Sequence, residues 1–347
     1  MGDVRQVAPL ARGTAAGLVA CVSLAVAGAG TAPTPSRFES SEPHMGTTFT
    51  VVLYAADAAR AARASGAAFA RIAGLDARLS DYRQNSEAMR LTREAVGRDV
   101  RVSDDLYRVL SLSLAMSSRT GGAFDATVGP LSHLWRRARR QSELPQPADI
   151  EAARAASGAA LVHLDEASRS VRLARAGMRL DFGGVAKGYA ADRALDVLRE
   201  TGIRRALIVA GGDVAAGDAP PGEKGWRVTI APFDAATPAA TRSLTLAGAA
   251  VSTSGDAEQW VDIGGVRYSH IFDPRTGWPL TGHRQATVMA RDATTSDMLA
   301  TTLCVLGEDG LGLADRTPGA AAMIAVPDGS ASVRWAFSRR WSELRRD

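Results

Sequence analysis

Asp181-Phe-Gly-Gly-Val-Ala-Lys-Gly188 joins a predicted strand over residues 178–182 to a predicted amphipathic helix over 185–202. Gly183 and Gly184 let the chain turn where side chains would obstruct a ligand. A helix starting at that point aims free backbone N–H groups at an anion. Lys187 is a mobile cation suited to a phosphate. The stretch is neither a Walker A sequence nor a dinucleotide fingerprint. A glycine turn carrying a surface lysine reads from the same residues. More than a hundred positions later, Asp297 and Thr301 stand four apart on a predicted helix over 295–307, so they share one face. A carboxylate and a hydroxyl can ligate magnesium together with backbone carbonyls or water. A first-turn charge is the other reading of Asp297. Taken together, the two stretches point to a phosphate-bearing ligand held with a hard divalent cation.

Around this pair the apolar pattern alternates between helical and strand periods. Residues 45–54 read as a turn into a strand. Residues 57–80 form a long helical pattern, and 102–122 a helix that Ser103 caps. Residues 81–99 are polar and turn-like. A short helix follows over 145–158, then a hairpin of 160–164 and 170–174. Strands are predicted at 205–213, 226–230, 243–255, 266–274, 284–290, 321–326 and 332–338. Strands outnumber simple βα crossovers, so the predicted class is α+β, with mixed or antiparallel sheets and packed helices.

The balance of 41 basic and 37 acidic residues, a formal net charge of +4, does not call for nucleic acid. The arginines of 136–140 read as a solvated face. Residues 1–30 read as a leader: Arg5 and Arg12 precede an Ala/Gly-rich apolar run with small residues for cleavage near Ala27 or Ala29. The run is too short and poor in large residues for a stable membrane span. Leu18-Val-Ala-Cys21 offers a second reading, a lipid-attached cysteine. Residues 31–43 read as a flexible linker. Removing the leader leaves about 310 residues, enough for one large domain or two intimately packed lobes. Cys304, in an apolar helical run, reads as a buried thiol, and no cysteine pair remains to staple the chain.

Six ordered blocks resemble the ApbE family, the flavin transferases that move FMN from FAD to a protein threonine or serine. They are Met45-Gly-Thr-Thr-Phe49, Ser80-Asp-Tyr-Arg-Gln-Asn-Ser-Glu87, Gly121 to Leu131, Asp181 to Asp192, Ala210-Gly-Gly-Asp213 with Ser269 to Gly277, and Ser296 to Thr301. The resemblance implies an ApbE-like, T-fold-like catalytic domain over 44–340. It implies magnesium held by Asp297, Thr301 and the Gly184 carbonyl, with FAD as substrate. Lys187 and the turn at Gly183 and Gly184 then lie near the diphosphate. Met45, Tyr82, Asn85, Glu87 and Asp125 fall in flavin-pocket segments, and Asp213 and Asp256 in the nucleotide region. His270 and Asp273 lie in the block nearest the chemistry, with His270 as proton carrier. Many relatives have an aromatic residue where Ala257 follows Ser254-Gly-Asp256. The implied partner is a flavin-accepting protein, an exported respiratory or electron-transfer subunit. The implied setting is the periplasm or the outer side of the cytoplasmic membrane, with possible membrane association. Hydrolysis of FAD to FMN and AMP, and exported flavin binding without turnover, are the alternative activities.

Overall fold

The computed structural model describes residues 34–230, 242–257, 259–328 and 332–344. The leader expected over 1–30 lies outside them. Eight strands lie side by side in chain order: β1 (Ser36–His44), β2 (Thr47–Ala55), β3 (Ala206–Ala210), β4 (Asp213–Ala216), β5 (Ala249–Gly255), β6 (Gln285–Ala290), β7 (Ala321–Asp328) and β8 (Ser332–Phe337). Every neighbouring pair is antiparallel. The sheet is thus a meander with insertions between several of its strands, which agrees with the α+β expectation.

Residues 36–43, expected as linker, are instead the edge strand β1, paired with β2 from Ser36↔Ala55 to His44↔Thr47. Polar, largely exposed side chains such as Glu39 and Glu42 hid it, since an edge strand needs little apolar sequence. Met45 and Gly46 form its two-residue turn, both with positive φ (50° and 74°), as a tight hairpin requires.

Seven helices matter to the site: α1 (Ala58–Leu79), α2 (Glu87–Glu94), α3 (Asp104–Arg119), α4 (Gly129–Gln141), α5 (Pro147–Ala155), α6 (Ala186–Glu200) and α7 (Ala293–Leu306). Helices α1, α6 and α7 cover one face of the sheet. Strand alternation explains the division. Phe49, Val51 and Leu53 of β2, with Ala206, Ile208 and Ala210 of β3, face these helices. Val52 and Leu207 face the other way, under a hairpin of Trp226–Ile230 and Arg242–Leu246. On α1, Ala61, Ala64, Ala68, Ile72, Leu75 and Leu79 recur at three and four and are buried. Each large side chain of that stripe contributes about 1.5–3 kcal/mol through burial.

The first insertion, between β2 and β3, carries α1 to α6. The one between β5 and β6 carries a small sheet of Trp260–Ile263, Val266–Phe272 and Pro279–Thr281. Helix α2 lies inside the stretch read as turn-like, and α4 covers the arginines of 136–140. The strand expected over 178–182 is only an isolated bridge, Val128↔Arg179. The single strand expected over 243–255 is two strands in different sheets, broken at Gly248, where φ is +59°.

Candidate active site

Register places four chain reversals and strand ends together. Ala210 pairs with Phe49, Asp213 with Ser252, and Gly255 with Gln285, so the β1–β2 turn, the β3–β4 turn, the end of β5 and the start of β6 share one end of the sheet. Gly211 and Gly212 make the β3–β4 turn. A Cβ at Gly212 would lie 2.5 Å from the Thr253 carbonyl oxygen of the adjoining strand, so no other residue fits there. The turn delivers Asp213 to the sheet end, 2% exposed.

The head of α6 meets this carboxylate. Lys187 Nζ lies 3.1 Å from Asp213 Oδ2 and 3.7 Å from Asp297 Oδ2. It also donates to the Gly183 carbonyl at 3.4 Å. Asp297 is 1% exposed in α7, and its Oδ2 accepts the Gly188 amide at 3.0 Å. Gly188 sits at the closest crossing of α6 and α7. A Cβ there would collide with the Ala293 carbonyl oxygen and come within 2.8 Å of Asp297 Cβ. Gly184 brings backbone against Thr301 in the same way, since a Cβ there would lie 3.1 Å from Thr301 Oγ1. The Thr301 hydroxyl is 3.3 Å from Ser254 Oγ. The structure thus brings Gly183, Gly184, Lys187, Asp213, Asp297 and Thr301 together.

Charge balance shows what this cluster can hold. Burial first, and then the neighbouring Asp213, push the Asp297 carboxyl up to about 7, against the opposing pull of Lys187. Burial would lower the Lys187 ammonium, but Asp213 and Asp297 outweigh it and hold the pKa above its ordinary value. Two buried carboxylates therefore face one ammonium. Apart from that ion pair, Asp213 Oδ2 accepts no hydrogen bond. An additional cation would relieve both carboxylates, and the oxygen-only donor set of Asp297, Thr301 and the Gly184 carbonyl suits magnesium. The residues present fit the metal. In the first turn of α6 the Gly188 amide is taken by Asp297 and the Ala186 amide by the Phe182 carbonyl, so it is the helix dipole that favours an anion there.

Asp297 is not the cap of α7. Asp292 caps it by accepting the Thr295 amide at 2.7 Å. Asp192 of α6 adds a second set, accepting the Ala293 and Thr294 amides, both at 2.8 Å, and the Thr294 hydroxyl at 2.5 Å. This cross-helix cap was not foreseen. An acidic residue five positions after Lys187 is ordinary on a solvated helix face, so only the fold reveals it.

His270 sits in the insertion between β5 and β6, on the strand Val266–Phe272. Its Nδ1 lies 3.1 Å from the Gln259 carbonyl, which can only accept. The proton is therefore on Nδ1 in the neutral ring, and Nε2 carries the lone pair. Burial lowers its pKa, and the charges of Arg139 and Lys187 act in the same direction.

Several other predicted site residues have their polar groups engaged within the fold. Asp273 accepts Arg275 Nη2 at 2.7 Å and the Arg275 amide at 2.9 Å, while its carbonyl accepts the Gly277 amide at 2.8 Å. Within the fold these contacts give Asp273 a turn role. Glu87 of α2 accepts the Ser103 amide and hydroxyl, both at 2.6 Å, and so braces the start of α3 rather than presenting its carboxylate to a ligand. Asp125 accepts the amide and hydroxyl of Thr127, both at 2.7 Å. Asp256 accepts His283 Nδ1 at 2.5 Å, Arg267 Nε at 2.7 Å and the Arg284 amide at 3.1 Å. Burial would raise its pKa, but these donors outweigh it and hold it at about 2. Asn85 is exposed. Met45 lines an open depression with His44, Thr47 and Asp76.

Arg136, read in sequence as part of a solvated face, is a hidden member of the site. Its guanidinium donates to Asp81, and through Nη2 to Asp181 Oδ2 at 3.0 Å. Asp181 Oδ1 in turn accepts the Gly183 amide at 2.8 Å. Tyr82, 72% exposed, has its ring centroid 4.1 Å from the Arg136 guanidinium carbon. Cys304 is buried as expected. Its thiol meets the Ser254 carbonyl at 3.2 Å, and burial pushes it up to about 12, so it is no nucleophile.

Similarity to known proteins extends over most of the chain. The profile described as the ApbE family matches residues 45–324. A FAD:protein FMN transferase of Klebsiella pneumoniae (strain 342) is 36% identical over 264 residues, covering 76% of this chain and 80% of its own. Another from the same strain is 32% identical over 334 residues, covering 92% of this chain and 94% of its own. The apo form of Pseudomonas stutzeri flavinyl transferase ApbE superposes with a TM-score of 0.79 at 31% identity, covering 90% of this chain and 97% of that one.

Proposed function

This chain belongs to the ApbE family, and from that premise we propose that it transfers FMN from FAD to a threonine or serine hydroxyl of an acceptor protein. The observation that carries the reading is the Lys187–Asp213–Asp297 cluster at the head of α6, with the Gly184 backbone against Thr301. The acceptor oxygen attacks the FMN phosphorus of the FAD pyrophosphate. The bond from that phosphorus to the AMP oxygen breaks, AMP leaves, and no electron is transferred. Asp297, Thr301 and the Gly184 carbonyl would hold magnesium, which supplies positive charge to pyrophosphate oxygens.

The remaining roles belong to this chain's own residues. Lys187, held charged by its two carboxylates, offers a fixed cation beside the pyrophosphate. The α6 terminus directs backbone dipoles at the same charge. His270 Nε2 takes the hydroxyl proton as the new oxygen–phosphorus bond forms. The lowered His270 pKa keeps that nitrogen free near neutrality. Because little covalent chemistry is required of the protein, alignment of the incoming hydroxyl opposite the leaving oxygen supplies much of the rate.

The leader read in residues 1–30 supports an exported acceptor, a respiratory or electron-transfer subunit, met in the periplasm or at the outer side of the cytoplasmic membrane. The deciding test is incubation with FAD, magnesium and candidate acceptors, followed by intact-protein mass spectrometry. The expected product is the acceptor plus one FMN, with AMP released in equal amount. Free FMN and AMP with an unmodified authentic acceptor would replace transfer by hydrolysis. Retained FAD without turnover would leave only binding.

A further inference from the structure

Arg136 of α4 is the meeting point of two segments far apart in the chain. Its Nη1 donates to Asp81 Oδ2, and its Nη2 to Asp181 Oδ2 at 3.0 Å. Both carboxylates are largely buried, at 15% and 10% side-chain exposure. Asp181 is held at its other oxygen as well, since Oδ1 accepts the Gly183 amide at 2.8 Å. Its own amide donates to the Ala126 carbonyl at 2.8 Å. Of these three bonds, only the one to Arg136 is made by another side chain. Gly183 is fixed in turn, because its carbonyl accepts Lys187 Nζ at 3.4 Å. Burying an arginine between two carboxylates contributes little to stability, since desolvation offsets much of the attraction. What the planar fork supplies is a fixed direction at two acceptors.

We propose that Arg136 is a positioning residue for the diphosphate seat: by holding Asp181 it sets the Gly183–Gly184 turn, a role that presupposes the FAD substrate proposed above. Two effects of the fork favour an anion at that turn. The first is charge. Asp181 Oδ1 stands 3.1 Å from the place a Gly183 Cβ would take, so a carboxylate lies directly against the turn. Unpaired, it would repel a diphosphate, and Arg136 cancels that charge from the protein side. The second is orientation. Pinned at both oxygens, Asp181 keeps the Gly183 amide turned to itself and the Gly183 carbonyl turned to Lys187. The bond to Asp81 anchors the guanidinium, which cannot swing away from Asp181 without giving up a second charged partner. The Tyr82 ring, with its centroid 4.1 Å from the guanidinium carbon, covers one face of the fork.

The test is equilibrium binding of FAD and of riboflavin to the full chain, read by flavin fluorescence polarisation, with magnesium removed by chelator so that no FAD turns over. Riboflavin shares the ring system and lacks the diphosphate. Arg136→Gln should weaken FAD binding by about tenfold, the worth of one hydrogen bond to a charged group, and leave riboflavin binding unchanged. Asp181→Asn should do the same, because it cuts the same link while keeping an oxygen for the Gly183 amide. The double variant should be no weaker than either single one, since residues that act through one contact are not additive. Arg136→Lys keeps the charge without the fork and should recover only part of the FAD affinity. Arg137→Gln is the control for lost charge and should bind as wild type does, because Arg137 is exposed and among the described residues its side chain bonds only Gln141. If Arg136→Gln does not fold, Asp181→Asn and Arg136→Lys decide the same comparison. Additive losses in the double variant would make Arg136 a direct phosphate ligand. Equal weakening of FAD and riboflavin would assign it to the support of Tyr82, and unchanged FAD affinity would leave the fork purely structural. Each of these three results overturns the proposal and leaves the flavin reading standing. Failure of wild type to bind either flavin would instead remove the flavin reading, and the positioning role with it.

Discussion

The Gly188 amide donates to Asp297 Oδ2 at 3.0 Å, and this one bond ties the glycine-rich motif to the proposed metal ligand across the crossing of α6 and α7. The contact exists only because Gly188 has no side chain. Replacing it with alanine drives a methyl into the Ala293 carbonyl and to within 2.8 Å of Asp297 Cβ. The obstruction is backbone, so the helices must separate. Gly188→Ala should cost about 1–3 kcal/mol of stability, as overpacking does. It should also weaken magnesium binding. Denaturant melts and a magnesium titration by calorimetry would measure both effects; unchanged values in both would show that the crossing is looser than described.

A second prediction follows from the raised pKa of Asp297. Its ordinary value is 3.8, and burial with Asp213 nearby carries it to about 7 in the folded protein. The folded state therefore binds the proton more tightly than the unfolded chain. By linkage, this group lowers the stability of the metal-free protein as pH rises from about 4 to about 7, and the penalty is complete above that window. Metal binding requires the carboxylate, so magnesium should stabilise the protein progressively more as pH rises toward and past 7. Thermal melts with and without magnesium across pH 5–8 would display this. In Asp297→Asn both the pH slope and the magnesium shift should shrink; their persistence would move the metal elsewhere.

The sequence pattern disclosed these site residues unevenly, for physical reasons. Gly183, Gly184 and Lys187 stand in one short stretch, and Asp297 and Thr301 share a helical face, so the parts of the cluster are local features. Their union depends on register: Asp213 reaches Lys187 because Ala210 pairs with Asp213 across a two-glycine turn. The local partners of Asp273 and Glu87, Arg275 and Ser103, are set by turn and cap geometry that the motifs do not spell out. Arg136 was hidden for the opposite reason. An arginine among arginines reads as surface until Asp81 and Asp181 converge on it from distant segments. Strand β1 escaped because its outward side chains are polar. The α+β class survived these errors, since it rests on the number and length of apolar segments rather than on their ends.

Asp192 offers a prediction that separates placement from chemistry. It touches neither Lys187 nor Asp297, yet it holds the first turn of α7 through two amides and one hydroxyl. Asp192→Ala should cost about 0.5–2 kcal/mol, the range for a lost helix cap. Loosening the start of α7 shifts Asp297, about one turn further on, so magnesium affinity should fall as well. Asp192→Asn keeps one acceptor oxygen and should recover part of both. Equilibrium unfolding and metal titration on the two variants would check the order wild type, Asn, Ala.

His270 supplies the last prediction. Its Nδ1 proton is committed to the Gln259 carbonyl, and burial with Arg139 and Lys187 keeps the ring neutral below the ordinary histidine pKa of 6.5. A base with a lowered pKa remains active as the medium is acidified, so the acid limb of the transfer rate should fall below 6.5 rather than at it. His270→Ala should reduce turnover by roughly 10²–10⁴-fold, the span for loss of a general base, with a much smaller change in FAD affinity. His270→Gln keeps a polar side chain without a base near neutrality, so it should bind FAD and remain slow. Single-turnover transfer with FAD saturating isolates the chemical step from binding. Wild-type rates for His270→Ala in that experiment would take the proton away from this histidine and assign it to the acceptor's own surroundings or to solvent.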